Sequence, residues 1–266
     1  SLSKSKLYVP EKSRLRNPSK LAFEMRQFQT KESDSNLGEP LKRMYLISSH
    51  LYPFGENENA FGLGFDASLI QSEDESFMGP LSISGRYKLY TYRDFDIEGF
   101  IVFNQNTLSD EELKNSLLGR DSTTMGITIA TQRDIFFIEN DLFFTSESEV
   151  RERIGNIDYT YSFGSITGVQ LRAGAIYKSF LIGGFTEALV SDNFRVEGGD
   201  FSEETGRNRI LSWGPRFEYR KNQYSLVLKG RFLLDSTKDT SYDYLSNIMG
   251  YGVGQGSLET QINIFF

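Results

Sequence analysis

The sequence contains no cysteine and a single histidine, His50, among its 266 residues. The lack of cysteine excludes a disulfide framework, a cysteine nucleophile and a metal site built on thiolates. No stretch of about 18 apolar residues occurs, which excludes a transmembrane helix. Acidic residues outnumber basic ones by 36 to 29, and the resulting net charge of -7 argues against a nucleic-acid partner. We predict no cofactor and no metal site.

Aromatic side chains are plentiful, with 22 Phe and 14 Tyr, and residues 256–266 place apolar side chains at every second position. The positions that share this parity are Leu258, Thr260, Ile262, Ile264 and Phe266. Polar residues stand between them, which is the period of a strand with one apolar and one polar face. Because a strand that ends the chain has no later partner, we expect it to pair with the first strand and close a barrel.

This ending resembles the final strand of Gram-negative outer-membrane β-barrel proteins, in which hydrophobic residues alternate up to a terminal aromatic residue. The resemblance implies that Leu258, Ile262, Ile264 and Phe266 form the signal that the barrel assembly machinery reads. It also implies a location in the cell outer membrane, in contact with its lipid and lipopolysaccharide.

The rest of the chain repeats the alternation often enough to predict about twelve strands. Short connections at 93–94, 133–134, 178–179 and 221–222 alternate with longer, charge-rich connections. This alternation is typical of outer-membrane barrels, in which an even strand number puts both termini on the periplasmic side. The predicted fold class is therefore an all-β, transmembrane, antiparallel up-and-down β-barrel over residues 19–266. A soluble β-protein, whose apolar residues would face inward, is the alternative.

The sequence also makes three local predictions. Residues 157–177 read as one long strand because their apolar residues keep one parity, whereas 146–156 and 191–206 read as charged loops. A short helix is expected at 109–118, since Ser109 and Glu112 have capping-box spacing and Gly119 suits the position after the last turn.

Residues 1–18 differ from the rest because basic residues predominate over the single acid Glu11 and no period is sustained. We expect a basic periplasmic tail that binds an envelope protein in the periplasm. The residues expected to make that contact are Leu7, Tyr8, Arg14 and Arg16. Two alternatives remain, a disordered leader and a segment folded back into the periplasmic mouth.

Charged residues at lumen-facing positions predict two walls. The expected acidic wall consists of Asp96, Glu98, Glu139 and Asp141, and the expected basic wall consists of Arg216, Arg220, Lys229 and Arg231. Such walls would orient small polar solutes, as charge rings do in pores. The same parity puts Glu24, Arg26, Arg172, Glu187 and Glu259 inside. The alternative is that neighbouring opposite charges pair and fill a narrow lumen, because isolated charges there would be costly.

Two functions fit these expectations: a porin-like passive channel for small polar solutes, or a closed structural barrel that anchors an envelope complex through its tail. An enzyme is the least favoured class. His50 lies beside Ser48 and Ser49 in sequence, but the sequence indicates no further partner for a nucleophilic site.

Overall fold

The computed structural model describes residues 19–30, 43–51, 61–71, 76–92, 95–105, 121–147, 149–162, 164–192, 195–204, 207–236 and 254–265. These ranges contain sixteen strands. In chain order the strands are β1 Lys20–Thr30, β2 Arg43–Leu51, β3 Phe61–Gln71, β4 Ser76–Tyr92, β5 Phe95–Gln105, β6 Ser122–Arg133, β7 Phe136–Glu147, β8 Val150–Ile154, β9 Ile157–Ser162, β10 Ser165–Tyr177, β11 Phe180–Ser191, β12 Arg195–Gly198, β13 Phe201–Glu204, β14 Asn208–Lys221, β15 Tyr224–Ser236 and β16 Gly254–Phe265. Within the same ranges, no helix is long and apolar enough to cross a bilayer.

Twelve of the strands form a closed barrel in the order β1-β16-β15-β14-β11-β10-β7-β6-β5-β4-β3-β2. Each neighbouring pair is antiparallel, and the last strand pairs with the first from Lys20↔Phe265 to Gln29↔Gly256. The predicted strand number and the predicted closure by the C-terminal strand are therefore both confirmed. Closure leaves the barrel without a free sheet edge, because every strand has two partners.

The two faces of the barrel wall differ in polarity. Large apolar side chains at alternate positions are exposed on the outer face, as at Phe65, Leu171 and Leu228, whereas their neighbours point inward and are buried or partly buried. The inner face carries serine, threonine and most of the charged residues of the strands. A soluble barrel has the opposite arrangement, with its apolar residues inside. An apolar outer surface around a polar interior is instead the arrangement of a barrel surrounded by lipid hydrocarbon. The alternative of a soluble β-protein is thereby excluded.

Two-residue turns join strands at the end of the barrel that also holds Lys20 and Phe265. The residues that open these turns, Asp134, Lys178 and Asn222, have φ values of 53°, 54° and 53°. Asp and Asn tolerate this left-handed conformation better than most residues, so their positions fit tight hairpins. We call this end of the barrel the terminal end and the opposite one the loop end.

The remaining strands form a second sheet, in the order β13-β12-β9-β8. This order repeats that of the barrel strands β14-β11-β10-β7, each of which leads into or out of the corresponding strand of the second sheet. The sheet therefore prolongs one third of the barrel wall past the loop end. The predicted single strand at 157–177 is wrong, since β9 and β10 are separated near Gly164, whose φ is 74°. The predicted loops at 146–156 and 191–206 are also wrong, because each contains strands of this sheet.

Two predictions lie outside the described residues. They are the helix at 109–118 and the basic tail at 1–18.

Candidate functional site

All eight residues of the two predicted charge walls occupy inward-facing positions. Asp96, Glu98, Glu139, Asp141 and Arg220 are buried, and Arg216, Lys229 and Arg231 are partly buried. The strand β5, which carries two of the acids, stands six places from β15 in the ring of twelve. β5 therefore lies across the lumen from β15, whereas β7, which carries the other two acids, is only three places from the basic strand β14. Their ion-pair partners, however, are on the same strand or within two strands and not across the lumen.

The carboxylates of β7 are held by a cation on the adjacent strand. One terminal nitrogen of Arg172 on β10 contacts both Glu139 and Asp141. Asp141 also accepts a hydrogen bond of 2.6 Å from the hydroxyl of Thr128 on β6. Three strands are thus joined by one set of charge-assisted bonds, which are stronger than bonds between neutral groups.

Glu187 on β11 is the centre of a second set. Its carboxylate accepts hydrogen bonds from Gln170 on β10 at 2.8 Å, from Ser212 on β14 at 3.4 Å and from Arg231 on β15 at 2.7 Å. Arg231 reaches Glu187 past β14, on which the inward residues at this level, Ser212 and Gly214, are small. The small residues leave the space through which the long arginine crosses.

The closing strand β16 contributes a carboxylate that has three cations around it. Glu259 lies 3.4 Å from Arg26 on β1, 3.5 Å from Lys229 on β15 and 3.6 Å from Arg231. Arg26 in turn donates to Glu24 at 2.9 Å. Glu259 therefore links the two strands that flank the seam where the barrel closes.

We name these linked groups the lumen belt. Its members are Glu24, Arg26, Thr128, Glu139, Asp141, Gln170, Arg172, Glu187, Ser212, Lys229, Arg231 and Glu259. The belt follows the inner wall from β6 through β7, β10, β11, β14, β15 and β16 to β1. Its positive and negative charges are nearly balanced, which lowers the cost of placing them inside a barrel.

Three arginines also lie on aromatic rings of the inner wall. The guanidinium carbon of Arg220 is 3.8 Å from the centre of the Phe265 ring, and the corresponding distances are 5.1 Å for Arg86 on Phe100 and 4.9 Å for Arg231 on Phe185. Stacking of this kind adds to ion pairing, more so where water is excluded. It also fixes Phe265 inside the terminal end of the barrel.

The barrel geometry has counterparts among solved structures. The NanC porin matches with a TM-score of 0.56 at 6% identity, over 93% of this chain and 100% of that one. The chain has the fold of an outer-membrane β-barrel. The β domain of the Bordetella autotransporter Brka matches with a TM-score of 0.48 at 10% identity, over 94% of this chain and 100% of that one. The Acinetobacter baumannii outer membrane protein Omp33 matches with a TM-score of 0.41 at 8% identity, over 95% of this chain and 99% of that one. No protein-family model matches the chain, and no curated protein sequence does.

Within this outer-membrane barrel, three of the four residues of the predicted assembly signal lie in the described strand β16. Leu258 and Ile262 are exposed on the lipid-facing side of β16, and Ile264 shares their parity. Phe266 lies outside the described residues. That these residues are read by the assembly machinery stays a prediction. Phe265 was not predicted as a site residue: its parity places it inside, but its contact with Arg220 depends on the strand register.

His50 has neighbours that its sequence position did not indicate. Its Nε2 atom is 3.9 Å from a carboxylate oxygen of Asp66 on β3. A Cβ atom at Gly64 would lie 2.9 Å from Nδ1 of His50 and would also meet the hydroxyl of Ser84. Glycine at this position therefore makes room for His50 and Ser84 on the same part of the inner wall. Across the described ranges, no group of three or more His, Asp or Glu side chains is placed to hold a metal ion.

A polar cleft lies outside the lumen, where the second sheet leaves the barrel rim. Its volume is about 330 Å³, and it is lined by Ser162, Gly164, Asp192, Arg195, Glu204 and Arg207. Asp192 accepts a hydrogen bond of 2.5 Å from Ser165, and Arg195 donates to Glu204 at 3.3 Å. Because the cleft is open to solvent and Arg195 and Glu204 pair with each other there, the lumen belt is the stronger candidate site.

Proposed function

We propose that the protein is an outer-membrane channel that passes small polar solutes through the lumen of the barrel. The observation that supports this function is the accessibility of cations in mid-barrel. The side chains of Arg26 and Lys229 point inward yet are 20% and 24% exposed. Side chains that filled the lumen completely would cover these groups, so their exposure favours a water-filled passage. A barrel of twelve strands has a lumen between the filled interior of eight strands and the open channel of sixteen.

For the orientation we propose that the terminal end faces the periplasm and the loop end faces outward. Short turns at one end and longer connections at the other support this orientation, since outer-membrane barrels have short periplasmic turns. It places the second sheet on the outer surface and the basic tail in the periplasm. The proposal assigns no chemical reaction to the barrel.

A second candidate, a closed barrel that anchors an envelope complex, is favoured by a different part of the wall. The inward side chains of Glu98, Thr128 and Glu139 have no more than 2% of their surface exposed. Phe137 and Leu181 pack together near the terminal end, with Ile176 against them. At these positions the lumen is therefore filled by side chains.

Conductance separates the two candidates. Purified, heat-modifiable protein would be inserted into planar lipid bilayers in potassium chloride, and the current would be recorded from single molecules. Stable, discrete conductance steps are the expected result. Bilayers that contain folded protein but show no steps would contradict the channel and leave the anchoring function.

The basic tail supplies the second test, because the anchoring function depends on it. Deletion of residues 1–17 leaves β1 intact. If the tail binds a periplasmic protein through Leu7, Tyr8, Arg14 and Arg16, deletion abolishes co-purification of that protein, and added salt weakens the contact. If the tail lies in the periplasmic mouth, deletion instead raises the conductance. If deletion changes neither the co-purification nor the conductance, the tail is only a leader and has no role in the barrel.

A further inference from the structure

We propose that the passage selects anions, so that its solutes are small molecules bearing a carboxylate or phosphate group. This inference rests on the proposed channel function and adds the charge of the solute. It comes from the depth at which the two members of each ion pair lie in the lumen belt. Because the positive and negative charges of the belt nearly cancel, the charged groups that water can reach decide whether a passing solute meets mainly positive or mainly negative charge.

The carboxylates lie against the wall and the cations lie toward the lumen. Arg172 is 15% exposed against 0% and 12% for its partners Glu139 and Asp141, and Arg231 is 13% exposed against 4% for Glu187. Glu259 is 4% exposed, well below Arg26 and Lys229. Arginine and lysine also have the larger side chains, so equal fractions would already mean a larger cationic area.

This layering has a local cause in the polar wall residues. Thr128 and Gln170 donate hydrogen bonds to Asp141 and Glu187, and these donors are themselves fixed on the strands. Their bonds hold the carboxylates close to the backbone. The long arginine and lysine side chains can then reach their counterions only from the lumen side, with part of each cation left in water.

The layered cations occupy one continuous half of the barrel. Arg172, Arg216, Arg231, Lys229 and Arg26 lie on β10, β14, β15 and β1, within a run of six neighbouring strands that also includes β11 and β16. The opposite half offers less charge to the lumen. There, Lys88 and Asp96 form a pair that is almost fully covered, and Arg86 lies on the ring of Phe100.

Asp66, which lies beside His50, is the carboxylate that opposes this trend most strongly. Both are 23% exposed, near the terminal end on β2 and β3. The carboxylates of Asp141 and Glu24 are also reached by water, at 12% and 10% exposed. The four cations of the belt are 13% to 24% exposed, so the balance at the water surface remains positive. Guanidinium groups also match carboxylates and phosphates geometrically, through paired parallel hydrogen bonds.

Reversal potentials in a potassium chloride gradient test the selectivity. We expect chloride to permeate at least about threefold better than potassium, since a charge within a few ångströms of a narrow path changes the energy of an ion measurably. Inorganic phosphate added to the bath is expected to reduce the chloride current by competing for the same cations. Conductance without selectivity, or with cation selectivity, would overturn this inference and leave the channel standing, whereas absence of conductance would overturn both.

A pair of variants locates the effect in the lumen. Lys229→Gln is expected to lower the chloride preference by about half or more, because it removes the most exposed cation of the belt. Arg151→Gln removes a cation of the second sheet that is 79% exposed, and it should leave the reversal potential unchanged. Equal shifts in both variants would mean that surface charge sets the selectivity, which contradicts the role of the belt. Circular dichroism and heat modifiability check that each variant is folded.

Discussion

Replacement of Glu259 by glutamine is the sharpest test of how the barrel closes. The carboxylate is almost completely buried and lies 3.4, 3.5 and 3.6 Å from Arg26, Lys229 and Arg231. Glutamine has nearly the same shape, so the variant removes the charge and creates no cavity. Lys229 would then lose the carboxylate that it contacts, while Arg26 and Arg231 would keep only Glu24 and Glu187.

The size of the effect follows from opposing contributions. Each pair has a gross attraction of roughly 4 to 5 kcal/mol at an effective dielectric constant of about 20. Desolvation offsets much of this attraction, and breaking a buried pair costs about 3 to 5 kcal/mol in measured cases. Because Arg26 and Lys229 remain partly in water, we expect a loss of about 2 to 4 kcal/mol in the free energy of unfolding.

The assay is equilibrium unfolding by urea in lipid vesicles, followed by the fluorescence of Trp213, the single tryptophan of the chain. Glu203→Gln on the exposed strand β13 is the matched control and should change stability by less than about 0.5 kcal/mol. Removing one cation as well, in a Glu259→Gln and Lys229→Gln double variant, should recover part of the loss. If Glu259→Gln is as stable as the parent protein, the closing strand is not held by this carboxylate.

Three further predictions concern the wall. Leu171→Lys puts a charge on the lipid-facing side and should lower the free energy of unfolding by about 2 to 4 kcal/mol if the site is near the midplane. Gln261→Lys, on the inner face beside a carboxylate of β1, should have a smaller effect. Equal losses in the two variants, measured by unfolding in vesicles, would refute the assignment of outward and inward faces. Deletion of Phe266 should sharply lower the yield of heat-modifiable barrel in membranes, and a normal yield would argue against an assembly signal. Gly214→Leu should lose about 2 kcal/mol or more by the same unfolding assay, because its Cβ atom would collide with the carbonyl of Gly230; unchanged stability would show that the strands can separate there.

The facing of the barrel strands was predictable because it depends only on parity. A strand with lipid on one side must present apolar residues at every second position, and Phe65 and Leu171 obey this rule without knowledge of any partner. The number of strands followed from the alternation of short and long connections. The pairing of β16 with β1 followed from the need to remove a free edge.

The second sheet was missed for two separate reasons. Tyr159 in β9 and Val169 in β10 have the same parity, so alternation alone gave no sign of the break near Gly164. Residues 195–204 were assigned to a loop because they are rich in acids and glycine. The informative signal was the opposite charge of Arg195 and Glu204, which face each other across β12 and β13 and contact at 3.3 Å. Such a pair stabilises a hairpin but is recognised only when the register is known.

The arrangement of the lumen belt depends on register and on small residues, and neither is visible in the periodicity. Parity places Glu187 and Arg231 inside, but it does not show that they meet, since their strands are separated by β14. They meet because Gly214 and Ser212 leave the inner surface of β14 nearly flat, so that Arg231 can cross it to a bond of 2.7 Å. A larger residue at Gly214 would stand between them and send the guanidinium toward Glu259 alone. The contact of Arg231 with Glu187, which joins two parts of the lumen belt, therefore depends on the small residues of β14.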